Sequence, residues 1–217
     1  MWYSRSGRVA RILAAAALLV AALAALGSAT PAAAAPLSAA DGRDIARVEA
    51  YLNTISSMKA RFVQQTSTGR LAEGWLYLKR PNRVRLDYRP PAYLQIFANG
   101  YWLVYVDTEM EEITHVPLKS TPAGFLVRER VRLSGDIDVV RVERADGELR
   151  LHVVQTEEPE AGRLVLALQD SPLRLRHWTV IDAQGVETRV SLLDPEFNLA
   201  LDDELFEFDE GIFDRPD

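Results

Sequence analysis

From Ala60 to Leu193 the chain reads mostly with a period of two, and that alternation constrains the fold more than any other feature. Ala60, Phe62, Gln64 and Thr66 alternate with Arg61, Val63 and Gln65. After Gly74, the residues Leu76, Leu78 and Arg80 fall on one face, and Trp75, Tyr77 and Lys79 on the other. Pro81-Asn82 makes a turn, and Val84, Leu86 and Tyr88 then alternate with Arg83, Arg85 and Asp87. That is the pattern of a half-buried strand. Pro90-Pro91 breaks the run. Residues 93–98 and 101–107 flank Asn99-Gly100, the strongest short hairpin signal. Asp146-Gly147 sits between 137–144 and 148–155, and Ser171-Pro172 between 163–169 and 173–181, before Gln184-Gly185 leads into 186–193. Short strands with turn signals at this spacing predict an antiparallel sheet or barrel of about nine to eleven strands.

Helical signals are few. Ser38 with Asp41 three residues on is a weakened capping box, and Ile45, Val48, Leu52 and Ile55 form one stripe of a helix. Thr121 is a good N-cap and Pro122 a good first helical residue, leading into Phe125, Leu126 and Val127. A short third segment starts at Asp202 or Asp203 and carries Leu205 and Phe206. These segments are the only covers for the apolar face of the sheet. A sheet this large with so few covers curls into an unclosed antiparallel β-barrel, so the expected fold is mainly β with few helices.

The first residues have the three parts of a secretory signal peptide: Arg5, Arg8 and Arg11, an apolar stretch over 12–26, and small residues around Ala32-Ala33-Ala34. The apolar stretch is shorter than the ~20 residues of a membrane-spanning helix. Residues 1–35 therefore read as a cleaved leader, and 36–217 as one domain. With no cysteine anywhere, the chain has neither disulfides nor an acylated Cys tether. It is expected in the periplasm, free of the membrane. Without the leader's three Arg, 22 Lys and Arg face 31 Asp and Glu, a net −9. Such a balance argues against nucleic acid and against a basic membrane-binding patch.

No nucleophile elbow, phosphate loop or dinucleotide fingerprint occurs. His115, His152 and His177 each stand alone in strand patterns, so no metal site and no cofactor is expected. Asp107, Glu109, Glu111 and Glu112 cluster in a hairpin bend and read as a solvated turn. The constellation that remains is apolar: Leu76, Leu78, Val84, Leu86, Tyr88, Leu94 and Ile96 share one parity on successive strands. Periodicity alone fits an ordinary filled core as well as the wall of a cavity, and the filled core is the plainer reading.

Several segments in order are similar to the LolA family, the periplasmic carriers of outer-membrane lipoproteins. Phe62-x-Gln64 resembles the family's Phe-x-Gln, and Gly74 to Pro81 its Gly-x-Leu-x-x-Lys-Arg-Pro. Asp87-Tyr88 with Pro90-Pro91 resembles the next strand and break, and Asn99-Gly100 stands where the family has Asp-Gly. Thr121-Pro122 to Leu126 resembles the Thr-Pro helix, and Phe206-x-Phe208 the C-terminal Phe-x-Phe. The resemblance covers nearly the whole chain after the leader. It implies an unclosed β-barrel with helices as a lid over a hydrophobic cavity that takes acyl chains, with a monomeric chaperone function rather than an enzymatic one. It implies that Arg80 latches the lid by hydrogen bonds to lid carbonyls, that Val84 matters for passing cargo on, and that Phe125 and Leu126 belong to the lid over 123–127. The implied partners are acylated lipoproteins, an inner-membrane lipoprotein-releasing ABC transporter and, where one is used, an outer-membrane receptor lipoprotein. Val84 is smaller than the aromatic often found there, Leu86 stands where Trp can occur, and the stretch after Phe208 is short. A lipid or lipoprotein sensor, or a carrier of another lipid, is the alternative on the same fold.

Overall fold

In the computed structural model, residues 36–121, 124–209 and 213 are described. The expected leader, and the Pro122-Ala123 start of the expected central helix, lie outside them. The capping box at Ser38 forms: its hydroxyl accepts from the Asp41 N–H at 3.2 Å, and the Asp41 carboxylate accepts from the Ser38 N–H at 2.8 Å. Those bonds, with Arg144 alongside, hold the Asp41 pKa down at about 2. Helix α1 follows over Ala39–Asn53. Its stripe buries Val48 and Leu52 fully, and Ile55 continues the stripe just past the helix end.

The period of two becomes eleven antiparallel strands. They are β1 Ser57–Thr66, β2 Leu71–Lys79, β3 Arg83–Tyr88, β4 Leu94–Asn99, β5 Trp102–Asp107, β6 Glu112–Pro117, β7 Ile137–Ala145, β8 Glu148–Gln155, β9 Gly162–Gln169, β10 Arg174–Asp182 and β11 Glu187–Phe197. The order across the one sheet is β6-β5-β4-β3-β2-β1-β11-β10-β9-β8-β7. Two meanders, β1 to β6 and β7 to β11, are thus joined by the long-range pair β1 and β11, in which Phe62 faces Leu192 and Gln64 faces Val190. Successive strands β6 and β7 lie at opposite edges. The sheet curls until those edges approach, and the Gln155 side chain at the end of β8 donates to the Lys119 carbonyl just after β6 at 3.3 Å. No ladder joins them, so the barrel is unclosed.

β6 follows the acidic bend, in which Asp107 accepts from the N–H groups of Glu109 and Met110 at 3.0 Å. It is an edge strand with little burial, which explains its weak apolar alternation.

The described residues of the link from β6 to β7, 118–121 and 124–136, fold over one end of the barrel as a strap. Here the sequence expectation needs correction. The described part of the expected α-helix is a short 3-10 turn, Gly124–Val127, with another at Leu118–Ser120. The carbonyls of Leu126 and Val127 accept from Arg80 and from the Asn82 N–H instead of closing helical turns. The strap then runs along α1. The Asn53 amide donates to the Val131 carbonyl and accepts from the Val131 N–H, both at 2.9 Å, and Glu49 accepts from the Leu133 N–H at 2.7 Å. The third expected segment is also a 3-10 turn, Glu204–Phe206, with Phe206 fully buried. That C-terminal stretch lies on the outer face, where Phe208 packs on Phe97 at a 5.7 Å ring separation.

Candidate functional site

Register builds one wall of the site row by row. Ala60, Leu76, Leu86, Ile96 and Tyr105 stand opposite one another across β1 to β5. So do Met58, Leu78, Val84, Ala98 and Leu103. Beyond the β1–β11 junction, on the β11–β10 pair, Val190 faces Trp178 and Thr188 faces Val180. With Leu52 and Ile55 from the end of α1, and Leu118, Leu126 and Val127 from the strap, these rows enclose a cavity of about 380 Å³.

Its wall is apolar with a few placed polar groups. The Tyr88 hydroxyl donates to Gln64 at 2.7 Å, and its ring meets Phe62 edge-on at 5.0 Å. Burial, and then the neighbouring Tyr105, push the Tyr88 phenol well above its ordinary pKa, and burial raises Tyr105 as well. Gly74 stands opposite Tyr88. A Cβ there would lie 2.1 Å from the Asp87 carbonyl oxygen and 2.9 Å from the Phe62 ring. The Phe-x-Gln, Gly and Tyr of the sequence pattern are thus one packed corner of the wall.

Arg80 follows the last residue of β2 and turns inward beneath the strap. Its Nε and Nη2 donate to the Leu126 carbonyl at 3.2 and 2.9 Å, and its Nη1 donates to the Leu52 carbonyl at 2.7 Å. One guanidinium therefore ties the strap to the last turn of α1, using the fork of fixed donors that only arginine offers. Burial lowers the Arg80 pKa, from a starting value so high that the group stays charged. Backbone bonds reinforce the closure. Asn82 donates to the Val127 carbonyl at 2.7 Å, Gly100 to Asn82 at 3.0 Å, and Leu118 to Tyr101 at 2.8 Å. Lys79, one residue earlier, points to the opposite face, where it binds the Leu201 carbonyl at 2.7 Å and Asp203 at 2.5 Å.

Of the residues named from parity or resemblance, Leu76, Leu78, Val84, Leu86, Tyr88, Ile96 and Leu126 line this cavity together with Arg80. Leu94 and Phe125 do not. Leu94 sits at the start of β4 opposite Asp107. Phe125 is buried in the core and faces a smaller pocket with Arg128 and Asp136. Parity reasoning missed the half of the wall supplied by Leu175, Trp178, Val180 and Val190, and the contributions of Leu52, Ile55 and Met58. The apolar alternation of the last strands was the available signal for the first group.

The histidines lie apart from the cavity. Burial lowers the pKa of His152, which sits 3.4 Å from Glu143, and of His177. Among the described residues no group of three or more His, Cys, Asp or Glu is placed to hold a metal. No helix among them is long and apolar enough to cross a membrane.

The sequence profile described as "Outer membrane lipoprotein carrier protein LolA" matches residues 53–209. A protein of Alkalilimnicola ehrlichii described as an outer-membrane lipoprotein carrier protein is 30% identical over 161 residues, covering 72% of this chain and 68% of that protein. A Rickettsia prowazekii protein described as uncharacterized is 29% identical over 86 residues, which is 40% of each chain. Among solved structures, a LolA superfamily protein from Nitrosomonas europaea aligns with a TM-score of 0.46 at 14% identity, covering 76% of this chain and 97% of that one.

Proposed function

The chain belongs to the LolA family of outer membrane lipoprotein carrier proteins, and from that premise we propose that it is a soluble periplasmic carrier holding the acyl chains of a lipoprotein in the cavity beneath the strap. The observation that carries this reading is an apolar cavity closed by one guanidinium on two backbone carbonyls. In it, the carrier receives acylated lipoprotein from a releasing ABC transporter of the inner membrane and delivers it at the outer membrane, to a receptor lipoprotein where one is used.

Magnitudes support a reversible latch. Burial of acyl chain is worth ~0.8 kcal/mol per CH₂. A hydrogen bond to a charged group contributes ~1.5–3 kcal/mol net. A long chain therefore outweighs the bonds of Arg80, so the empty form rests closed and the loaded form holds the strap displaced. Delivery then requires a partner with a stronger hold on the acyl chains.

The test is binding. Purified protein should take up an apolar fluorescent probe at one site, and a triacylated lipopeptide should displace it. Failure of the lipopeptide to displace bound probe would count against the carrier reading.

A further inference from the structure

The polar groups of the cavity are not spread evenly along it, and strand register gives their depth. Arg80 follows Lys79, which faces Ser57 at the start of β1. The inward rows then run through Met58, Ala60, Phe62 and Gln64 toward the other end of the barrel. From Met58 to Gln64 the strand rises about 20 Å. At the Arg80 end the polar side chains of the lining are spent on backbone. The guanidinium holds the Leu52 and Leu126 carbonyls, and the hydroxyls of Ser120 and Thr121 donate to the Pro117 and Leu118 carbonyls, both at 2.8 Å.

The opposite end differs. Gln64, Tyr88, Tyr105 and Thr188 line it, and none of the four carries a charge. The Tyr88 hydroxyl donates to the Gln64 amide oxygen at 2.7 Å, and that bond leaves donors over. The Gln64 amide N–H groups, the Tyr105 hydroxyl and the Thr188 hydroxyl have no hydrogen-bonding partner among the described residues. All four residues are half-buried, whereas Leu76, Leu78 and Val84 nearer the latch are buried. The two phenols lie close enough for Tyr105 to add to the rise in the Tyr88 pKa. Burial raises both, so both stay protonated, and donors, at neutral pH.

A neutral, donor-rich end of an apolar cavity fits a neutral acceptor. A phosphate or carboxylate would give up its hydration there without meeting a counter-charge. A carbonyl oxygen has no charge to compensate and two lone pairs to fill, and buried without donors it would cost free energy. We propose that this end is a carbonyl subsite for the ester groups that join acyl chains to the glyceryl unit of the cargo, with the Gln64 amide and the Tyr105 hydroxyl as donors. This rests on the carrier reading and deepens it by fixing which way the cargo lies. The esters sit at the Tyr105 end, and the chains run past Leu86, Leu76 and Val84 toward Arg80. A long chain then meets the strap from beneath and presses on the latch, while a short one stops below it.

The test is displacement of a bound apolar probe from the purified protein by two neutral lipids. Monopalmitin carries an ester, and hexadecyl glycerol ether has a chain of the same length and the same head but no carbonyl. One neutral hydrogen bond to the carbonyl predicts about fivefold tighter binding of the ester. Tyr105→Phe removes a hydroxyl that bonds nothing in the fold, and it should bring the two lipids to within about twofold. Ether binding as tightly as the ester, or a ratio unchanged in Tyr105→Phe, overturns the subsite and leaves the carrier reading standing. Failure of both lipids to displace the probe overturns both readings. Amide exchange reads the direction. At saturation monopalmitin should speed exchange of the Asn82 N–H, which bonds the Val127 carbonyl of the strap at 2.7 Å, and the short-chain monocaprylin should not. The same effect from both, or from neither, overturns the orientation.

Discussion

Replacing Arg80 by leucine should loosen the strap without unfolding the barrel. The guanidinium makes three hydrogen bonds to two acceptors. The Leu52 carbonyl keeps other donors, the N–H groups of Thr54 and Ile55, while no other donor reaches the Leu126 carbonyl among the described residues. Arg80 is only partly buried, so the low end of the charged hydrogen-bond range applies to each acceptor. Two acceptors then give about 3 kcal/mol, or roughly 150-fold in the equilibrium between closed and open strap. Amide hydrogen exchange reads this directly. The Asn82 N–H is bonded to Val127 and the Leu118 N–H to Tyr101, so both lose protection when the strap lifts. Their exchange should accelerate by about two orders of magnitude in Arg80→Leu. Amides in the β8–β9 ladder should keep their protection. Arg80→Lys should fall between, because an ammonium lacks the fixed fork that reaches both carbonyls. Exchange at Asn82 and Leu118 within about threefold of the unsubstituted protein would refute the latch, since it would leave strap closure to apolar packing alone.

Three further outcomes are expected. Gly74→Ala should lower stability by about 1–3 kcal/mol in urea unfolding, because the added methyl meets a backbone carbonyl and the Phe62 ring; an unchanged midpoint would mean the strands shift apart freely. Val84→Phe should cut binding of long-chain probes more than short ones, since Val84 lines the cavity; equal weakening at all chain lengths would place the ring elsewhere. Acidification should destabilise the fold. Burial holds His152 and His177 below their ordinary pKa, so the unfolded chain binds more protons and stability falls as pH drops below about 6.5. A urea midpoint that stays level or rises between pH 7.5 and 5 would contradict this, and His152→Gln should flatten the decline.

The near wall of the cavity was legible because the face a strand residue occupies is a local property. Leu76, Leu78, Val84, Leu86, Tyr88 and Ile96 needed only alternation and correctly placed turns. The far wall was not, because Trp178, Val180 and Val190 reach the site only through the pairing of β1 with β11, the first and last strands of the sequence, at the middle of the sheet. The strap was misread for a related reason. Thr121-Pro122 is a sound local helix signal, but the carbonyls of Leu126 and Val127 are claimed by Arg80 and Asn82, distant in sequence. Leu94 had the right parity and the wrong height along its strand, which alternation does not report.

The placement of β6 and β7 at opposite edges has one more consequence. In a closed barrel, girth is set by strand number and shear, and widening it means breaking a ladder. Here the seam between the edges is spanned by the described residues 118–121 and 124–136 and by the contact of Gln155 with Lys119. The seam can gape by the slack in that link while every strand pair stays intact. Capacity is then elastic. It is set by the length and tether points of a loop, so insertions or deletions between Leu118 and Asp136 should change which cargo fits before they change how firmly the barrel folds.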